Sequence, residues 1–276
     1  MNIIEKFVKG KNINQEKCED FIFFNEHYAA IIDGATTKSE HSFNGNSTGK
    51  QISILIYDAL KVLDKKADKK ETADFITNVI YQFYIDNDYL KEIKKNSKHK
   101  FAASAIIYSR HHSEIWQFGD CHCLIDNSYY ESNKHIDYIT SSARSLIIGS
   151  LIKNGHSVDS LLSNDLSREF IKPLLENQQS YQNLNLSDSE YAYVCFDGFE
   201  IPVDDVPTIK IPKETRHIVL ASDGYPKLFN TLKKSEEYLE YLKKEDPLCY
   251  RIYPSTKGFA NDLNSFDDRS YLSFYV

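Results

Sequence analysis

The stretch Tyr28-Ala29-Ala30-Ile31-Ile32-Asp33-Gly34 constrains the fold of this chain more than any other. Tyr28 to Ile32 is a short, continuous apolar run between polar Asn25-Glu26-His27 and Gly34, and it predicts a buried strand. Such a strand delivers Asp33 into apolar surroundings. An unpaired ionised carboxylate there costs several kcal/mol, so a cationic partner is expected. Gly34 lets the backbone turn and exposes its carbonyl beside that carboxylate.

Asp-Gly alone is a common turn dipeptide. Recurrence gives it weight. His217-Ile218-Val219-Leu220-Ala221-Ser222-Asp223-Gly224 is a second apolar strand ending in Asp-Gly, and Ile115 to Phe118 runs into Gly119-Asp120. Asp267-Asp268 precede the terminal strand Ser270 to Val276, and Glu19-Asp20 precede the strand Phe21 to Phe24. Five acidic strand ends converging on one point would form a cage of hard oxygen ligands, which suits Mg²⁺ or Mn²⁺.

A net charge of −7 and a pI near 5.7 argue against nucleic acid or an anionic membrane as the main partner. Five cysteines without framework spacing suit a reducing compartment. Met1 to Lys6 lacks the apolar run of a signal peptide, and no segment reaches membrane-spanning length. A soluble, cytoplasmic protein is expected.

Taken in order, the chain predicts strands at 3–8, 21–24 and 28–32, with a hairpin turn at 25–27. Ile52, Leu55, Ile56, Ala59, Leu60 and Leu63 then share one helical face behind a Ser47 or Thr48 cap. A second helix carries Phe75, Ile76, Val79, Ile80, Phe83 and Tyr84, with Thr72 as its cap. The charged tract 91–100 reads as a solvated helix end and loop. Residues 101–108, 114–118 and 121–125 read as consecutive antiparallel strands. Helical patterns follow at 138–153 and 158–175, then a Gln/Asn/Ser-rich loop and a strand at 191–196. Pro202, Pro207 and Pro212 restrict any later strand to an edge, and Pro226 reads as the opening of a helix that runs to Lys244. Strand groups alternating with helix pairs predict an α+β fold, layered as a sandwich, in one domain spanning 1–276.

Other motifs fail on their own chemistry. Ser47-Thr48-Gly49-Lys50 lacks P-loop spacing, and Gln51 replaces the Ser/Thr that would meet Mg²⁺. Cys121-His122-Cys123 on a strand points its thiols away from its imidazole and has no second ligand pair. Ser222 lacks the Gly-x-Ser-x-Gly elbow.

Glu19-Asp20, Ile31-Ile32-Asp33-Gly34, the helix led by Ser47-Thr48-Gly49, Phe118-Gly119-Asp120, Leu220-Ala221-Ser222-Asp223-Gly224 and Asp267-Asp268-Arg269-Ser270 stand in one order along nearly the whole chain. In that order they resemble the metal-dependent type 2C protein serine/threonine phosphatases. The resemblance implies a four-layer α-β-β-α sandwich with two central antiparallel sheets and a two-metal centre of Mg²⁺ or Mn²⁺ at one end. It implies that Asp33 bridges both ions and that the Gly34 carbonyl binds the second. Asp223 and one of Asp267 and Asp268 would complete the first ion, and Glu19 and Asp20 would hold the second, partly through water. Asp120 corresponds to an acid that some relatives use for a third, weaker ion. Two divalent ions acidify a bridging water and neutralise the phosphoryl oxygens during in-line attack, so no nucleophilic side chain is required.

Two departures stand out. Ala35 occupies the position where many relatives carry a His that protonates the leaving group, and Gln15 that of the phosphate-binding Arg. Lys17 is close to Gln15 and is the candidate phosphate ligand, with Lys38, Lys257 and Arg269 as alternatives. The implied substrate is a phosphoserine or phosphothreonine protein. A small phosphomonoester, or a catalytically weak module binding phosphorylated partners, are the other readings. The two terminal acids divide two arguments. Motif register selects Asp267, whereas strand alternation puts Asp268 in phase with apolar Leu272, Phe274 and Val276. Ligands often sit at a bend before a strand, which favours Asp267.

Overall fold

The computed structural model describes residues 1–36, 41–132, 134–261 and 263–276. Two five-stranded antiparallel sheets stack face to face. One has the order β2-β3-β4-β5-β8, from β2 (Asp20–Phe24), β3 (Tyr28–Ala35), β4 (Ala102–Ser109), β5 (Glu114–Phe118) and β8 (Thr208–Lys210). The other has the order β1-β10-β9-β6-β7, from β1 (Asn2–Lys9), β6 (His122–Ile125), β7 (Ser128–Tyr130), β9 (His217–Ala221) and β10 (Arg269–Tyr275). The fold is α+β, as expected.

The central strand β3 shows why its sequence runs continuously apolar. Ala29 and Ile31 pack between the sheets with Ile106, Leu220, Leu272 and Phe274. Ala30 and Ile32 face the other way, into a core with Ile52 and Ile56 of helix α1 (Thr48–Val62) and Ile76 and Ile80 of α2 (Lys69–Asp86). A strand buried on both faces has no polar alternation to show. The outer face of the second sheet is covered by Tyr225, Leu228 and Leu232, the last being the first residue of α7 (Leu232–Glu245). Burying a side chain the size of Ile52 or Ile56 is worth about 1.5–3 kcal/mol each.

Ser47 caps α1, its Oγ accepting from the Lys50 N–H at 3.2 Å. Gly34 lets α1 come close, because a Cβ there would lie 2.1 Å from the Gly49 carbonyl oxygen. Gly224 permits the same intimacy beside the Asp268 carbonyl, at 2.0 Å. Both Asp-Gly pairs therefore mark places where backbone meets backbone.

Several elements differ from expectation. The second helix begins at Lys69, not Thr72, because Asp68 and Glu71 form a reciprocal capping box. The tract 91–100 holds a short helix, α3 (Leu90–Lys95), and a 3-10 turn, Ser97–His99. The segment 121–125 does not continue the β4–β5 meander. Gly119, at φ 99°, redirects the chain, and β6 pairs with β9 in the other sheet. Residues 158–175 divide into α5 (Val158–Ser163) and α6 (Leu166–Asn177), after α4 (His135–Lys153). Residues 191–196 make only isolated bridges, through Tyr193 and Phe196. Pro226 lies in a turn, and α7 starts six residues later behind its Thr231 cap.

Candidate metal centre

Asp20 and Asp33 sit directly opposite each other in the β2–β3 ladder, so their side chains share one face of the sheet. Asp20 is buried. Its Oδ2 accepts hydrogen bonds from the Ser222 and Ser270 hydroxyls at 2.6 and 2.7 Å, and its Oδ1 is buried with no partner among the described residues. Burial pushes its carboxyl up to about 7. The two serine hydroxyls oppose that rise, and the charges of Asp268 and Asp223 add to it. Asp33 is held well above the ordinary carboxylate range, first by burial and then by Asp20, Asp223 and Asp120. Asp223 Oδ1 is a second buried acceptor with no partner among the described residues.

Asp120 reaches the same end of the sandwich but with its oxygens taken. Oδ1 accepts from the Ser104 hydroxyl and Oδ2 from Lys134 Nζ at 2.7 Å. Burial alone would raise its pKa, but the Lys134 charge and hydrogen bond outweigh it and hold the carboxyl low. Lys134 is held well above its ordinary value despite burial, by Asp120 and Asp137. Asp137, in the first turn of α4, is a further acid of this cluster. Burial pushes it up to about 6, against the Lys134 charge.

Asp267 and Asp268 are both buried, with different partners. Asp267 Oδ1 accepts from Lys11 Nζ at 3.0 Å, and Oδ2 from Lys257 Nζ. Asp268 is engaged by backbone: Oδ1 accepts from the Lys11 N–H at 2.7 Å and Oδ2 from the Glu19 N–H at 3.0 Å. Two ammonium groups therefore stand among the acids. Lys257 lies close enough to Asp33 and Asp223 for their charges to raise its pKa against burial and Lys11, which together hold it low.

Glu19 points elsewhere. Its Oε1 accepts from the Thr36 and Ser47 hydroxyls, and Gly49 is packed against it, so it ties β2 to the start of α1. Lys17 is exposed, at the rim of a hollow of about 360 Å³ that Lys11, Glu19, Thr36, Asn46 and Ser47 also line. Arg269 is spent on a two-pronged pair with Glu236, at 2.7 and 2.8 Å. Lys38 falls outside the described residues. The Cys121, His122 and Cys123 side chains are buried, and His122 Nδ1 pairs with the Tyr129 hydroxyl at 2.7 Å.

Sequence reasoning missed Ser222 and Ser270 as the clamp on Asp20, and missed Lys11, Lys134 and Asp137. Only the clamp had a local signal, since Ser222 adjoins Asp223 and Ser270 follows Asp268 by two residues. The donor set fits a divalent hard cation: carboxylate oxygens, raised in pKa by burial and then by one another, with Asp20 Oδ1 and Asp223 Oδ1 unpartnered among the described residues. The acids are nonetheless spread. Among the described residues, the only set of three His, Cys, Asp or Glu side chains with ligand atoms all within 4.8 Å of one another is His41, Glu92 and His99. No helix among the described residues is long and apolar enough to cross a membrane.

No family model and no curated protein matches this chain. Among solved structures it is similar to the serine/threonine phosphatase Stp1 from Staphylococcus aureus, at 12% identity and a TM-score of 0.48, over 99% of this chain and 94% of that one. It is similar to the Mycobacterium tuberculosis serine/threonine phosphatase PstP/Ppp, at 12% identity and a TM-score of 0.45, over 98% and 97%. The third is the catalytic domain of the serine/threonine protein phosphatase PstP in complex with two manganese ions, at 10% identity and a TM-score of 0.48, over 100% of both chains.

Proposed function

We propose that this chain is a metal-dependent phosphomonoesterase acting on phosphoserine and phosphothreonine in proteins. The observation that carries the reading is the gathering of Asp20, Asp33, Asp120 and Asp223 at the strand ends, with two buried carboxylate oxygens lacking a partner among the described residues. In this reading Asp33, the Gly34 carbonyl and Asp20 would hold one Mg²⁺ or Mn²⁺ ion, and Asp33, Asp223 and Asp267 would hold another. Glu19 and Asp268 keep positioning roles, because Glu19 Oε1 is committed to two hydroxyls and both Asp268 oxygens to backbone amides. When bound, the ions supply an acidified water and neutralise phosphoryl charge. The Ser222 and Ser270 hydroxyls fix the angle of Asp20, and Lys134 keeps Asp120 ionised. Lys11 and Lys257 are the phosphate ligands in place of Lys17, since their ammonium groups already stand among the acids and Lys17 stands in solvent. Phosphate recognition by a lysine needs only a point charge at the right place.

Turnover of an aryl phosphate and of a phosphothreonine peptide, with Mn²⁺ and with EDTA, tests the proposal. Metal-dependent hydrolysis of both supports it, and full activity in metal-free protein would sink it. One observation favours a second reading: Lys11 and Lys257 satisfy Asp267 without any ion. A catalytically weak module would then bind phosphorylated partners in EDTA as well as in Mn²⁺ and hydrolyse neither substrate.

A further inference from the structure

Away from the acid cluster, three separately anchored pieces of chain bring two imidazoles and a carboxylate together. His41 precedes a tight turn closed by paired backbone hydrogen bonds between Phe43 and Asn46, both 2.9 Å. Phe43 anchors that turn, with its ring edge-on to Phe83, Tyr89 and Phe101. Glu92 lies on α3. His99 ends the following 3-10 turn, where its N–H donates to the Asn96 carbonyl and its own carbonyl accepts from the Tyr89 hydroxyl, both at 3.0 Å.

The three ligand atoms all fall within 4.8 Å of one another, with His41 Nε2 and Glu92 Oε2 3.8 Å apart. The two imidazole rings are 5.7 Å apart, centroid to centroid. Glu92 Oε1 accepts from Lys95 Nζ at 2.5 Å, which leaves Oε2 facing His41. Burial leaves His99 Nδ1 without a hydrogen-bond partner among the described residues. A surface ion pair between His41 and Glu92 would account for those two groups and contribute about 0–1 kcal/mol. It gives no reason for a second imidazole with an unsatisfied ring nitrogen beside the pair.

We infer that His41, Glu92 and His99 form a second metal site, for a zinc-class transition ion. Two imidazoles and one carboxylate are the donor set of a three-ligand zinc site with water in fourth place. Zinc–ligand bonds of about 2.0–2.2 Å put ligand atoms roughly 3.4 Å apart in a tetrahedron, so small side-chain rotations close this site. Nitrogen donors favour Zn²⁺ over Mg²⁺ and Mn²⁺, so this site and the all-oxygen cluster sort different ions. The site's consequence is mechanical. His41 belongs to the connection that follows β3 and supplies Gly45, Asn46 and Ser47 to the wall of the 360 Å³ hollow. An ion held between His41 and α3 braces that wall.

The test is calorimetric titration of Zn²⁺ into tag-free protein kept in excess Mg²⁺, repeated with Co²⁺ to read the visible bands of a tetrahedral site. One Zn²⁺ should bind to the wild type and to Asp33→Asn. Affinity should fall at least tenfold in His41→Ala, His99→Ala and Glu92→Gln, with unchanged circular dichroism. His41 and Glu92 are accessible, so at least two of these variants can be read without disturbing the core. Slower amide exchange across 41–46 on adding Zn²⁺ would support the bracing role. Equal Zn²⁺ binding by the wild type and the His41→Ala/His99→Ala double variant would overturn the inference, and so would binding lost in Asp33→Asn but kept in His99→Ala.

Discussion

Asp20→Asn should stabilise the metal-free protein at pH 8. In EDTA no divalent ion offsets the acid cluster, and burial raises the Asp20 carboxyl from 3.8 to about 7. An acid whose pKa is raised by folding contributes stability that is fully present below its unfolded pKa and lost as pH climbs through the folded one. The loss at Asp20 therefore falls between about pH 4 and pH 7. At about 1.4 kcal/mol per pKa unit, a rise of roughly three units makes it about 4 kcal/mol by pH 8. Asparagine keeps an acceptor for the Ser222 and Ser270 hydroxyls and removes a charge that helps raise Asp33. Asp137, raised to about 6, works in the same direction in both proteins. Buried His122 and half-buried His217, held below their ordinary values, work in the opposite direction, gaining stability as pH rises towards 6.5. The difference between variant and wild type cancels these groups. Trp116, the single and fully buried tryptophan, supplies the fluorescence signal for urea unfolding. The expected result is a difference near zero at pH 4 that grows to a few kcal/mol in favour of the variant at pH 8, and reverses when Mn²⁺ is added. A variant no more stable than wild type in EDTA at pH 8 would refute the reasoning.

Two further outcomes follow from the terminal acids and the lysines. Asp267→Asn should weaken Mn²⁺ binding in calorimetry. Asp268→Asn turns an amide N–H towards a backbone donor and should instead cost about 1–3 kcal/mol in urea unfolding. Loss of metal confined to Asp268→Asn would reverse those roles. Lys257→Met should leave Mn²⁺ binding intact or tighter and weaken inhibition by inorganic phosphate about tenfold, or about 1.4 kcal/mol. An unchanged inhibition constant would remove Lys257 from phosphate binding.

The layered fold was legible because strands and helices announce their periods locally. The apolar run of β3 and the spacing of Ile52, Ile56 and Leu60 on α1 each say which surface must be buried. Pairing partners are not local. Cys121 to Ile125 follow β5 after a short turn, and only the backbone at Gly119 sends them into the other sheet. Pro226 fits a first helical turn as well as it fits the loop where it lies, and the helix instead starts behind Thr231, whose side chain accepts from the Lys234 N–H. The start of α2 is the exception. Asp68 with Glu71 is a capping pair visible in the sequence, and apolar periodicity alone obscured it.

At the candidate centre the acids were visible and the cations were not, for one physical reason. A carboxylate ending an apolar run carries its own cost and so demands an explanation from sequence. A lysine on a loop does not, and Lys11 reaches Asp267 across 256 residues of chain. Asp20 opens β2 and turns to the acids, while Glu19, just before the strand, turns to α1. At Asp267 and Asp268 strand alternation loses its force, because β10 begins only at Arg269 and both acids precede its pleat. There the chain bends enough that both carboxylates meet Lys11, one at its ammonium and the other at its backbone N–H. What distinguishes them is the partner each can give up. The ammonium groups on flexible stems can withdraw from Asp267 when a divalent ion arrives, leaving it the Asp268 N–H at 2.9 Å, whereas releasing Asp268 would strand two backbone amides in the interior.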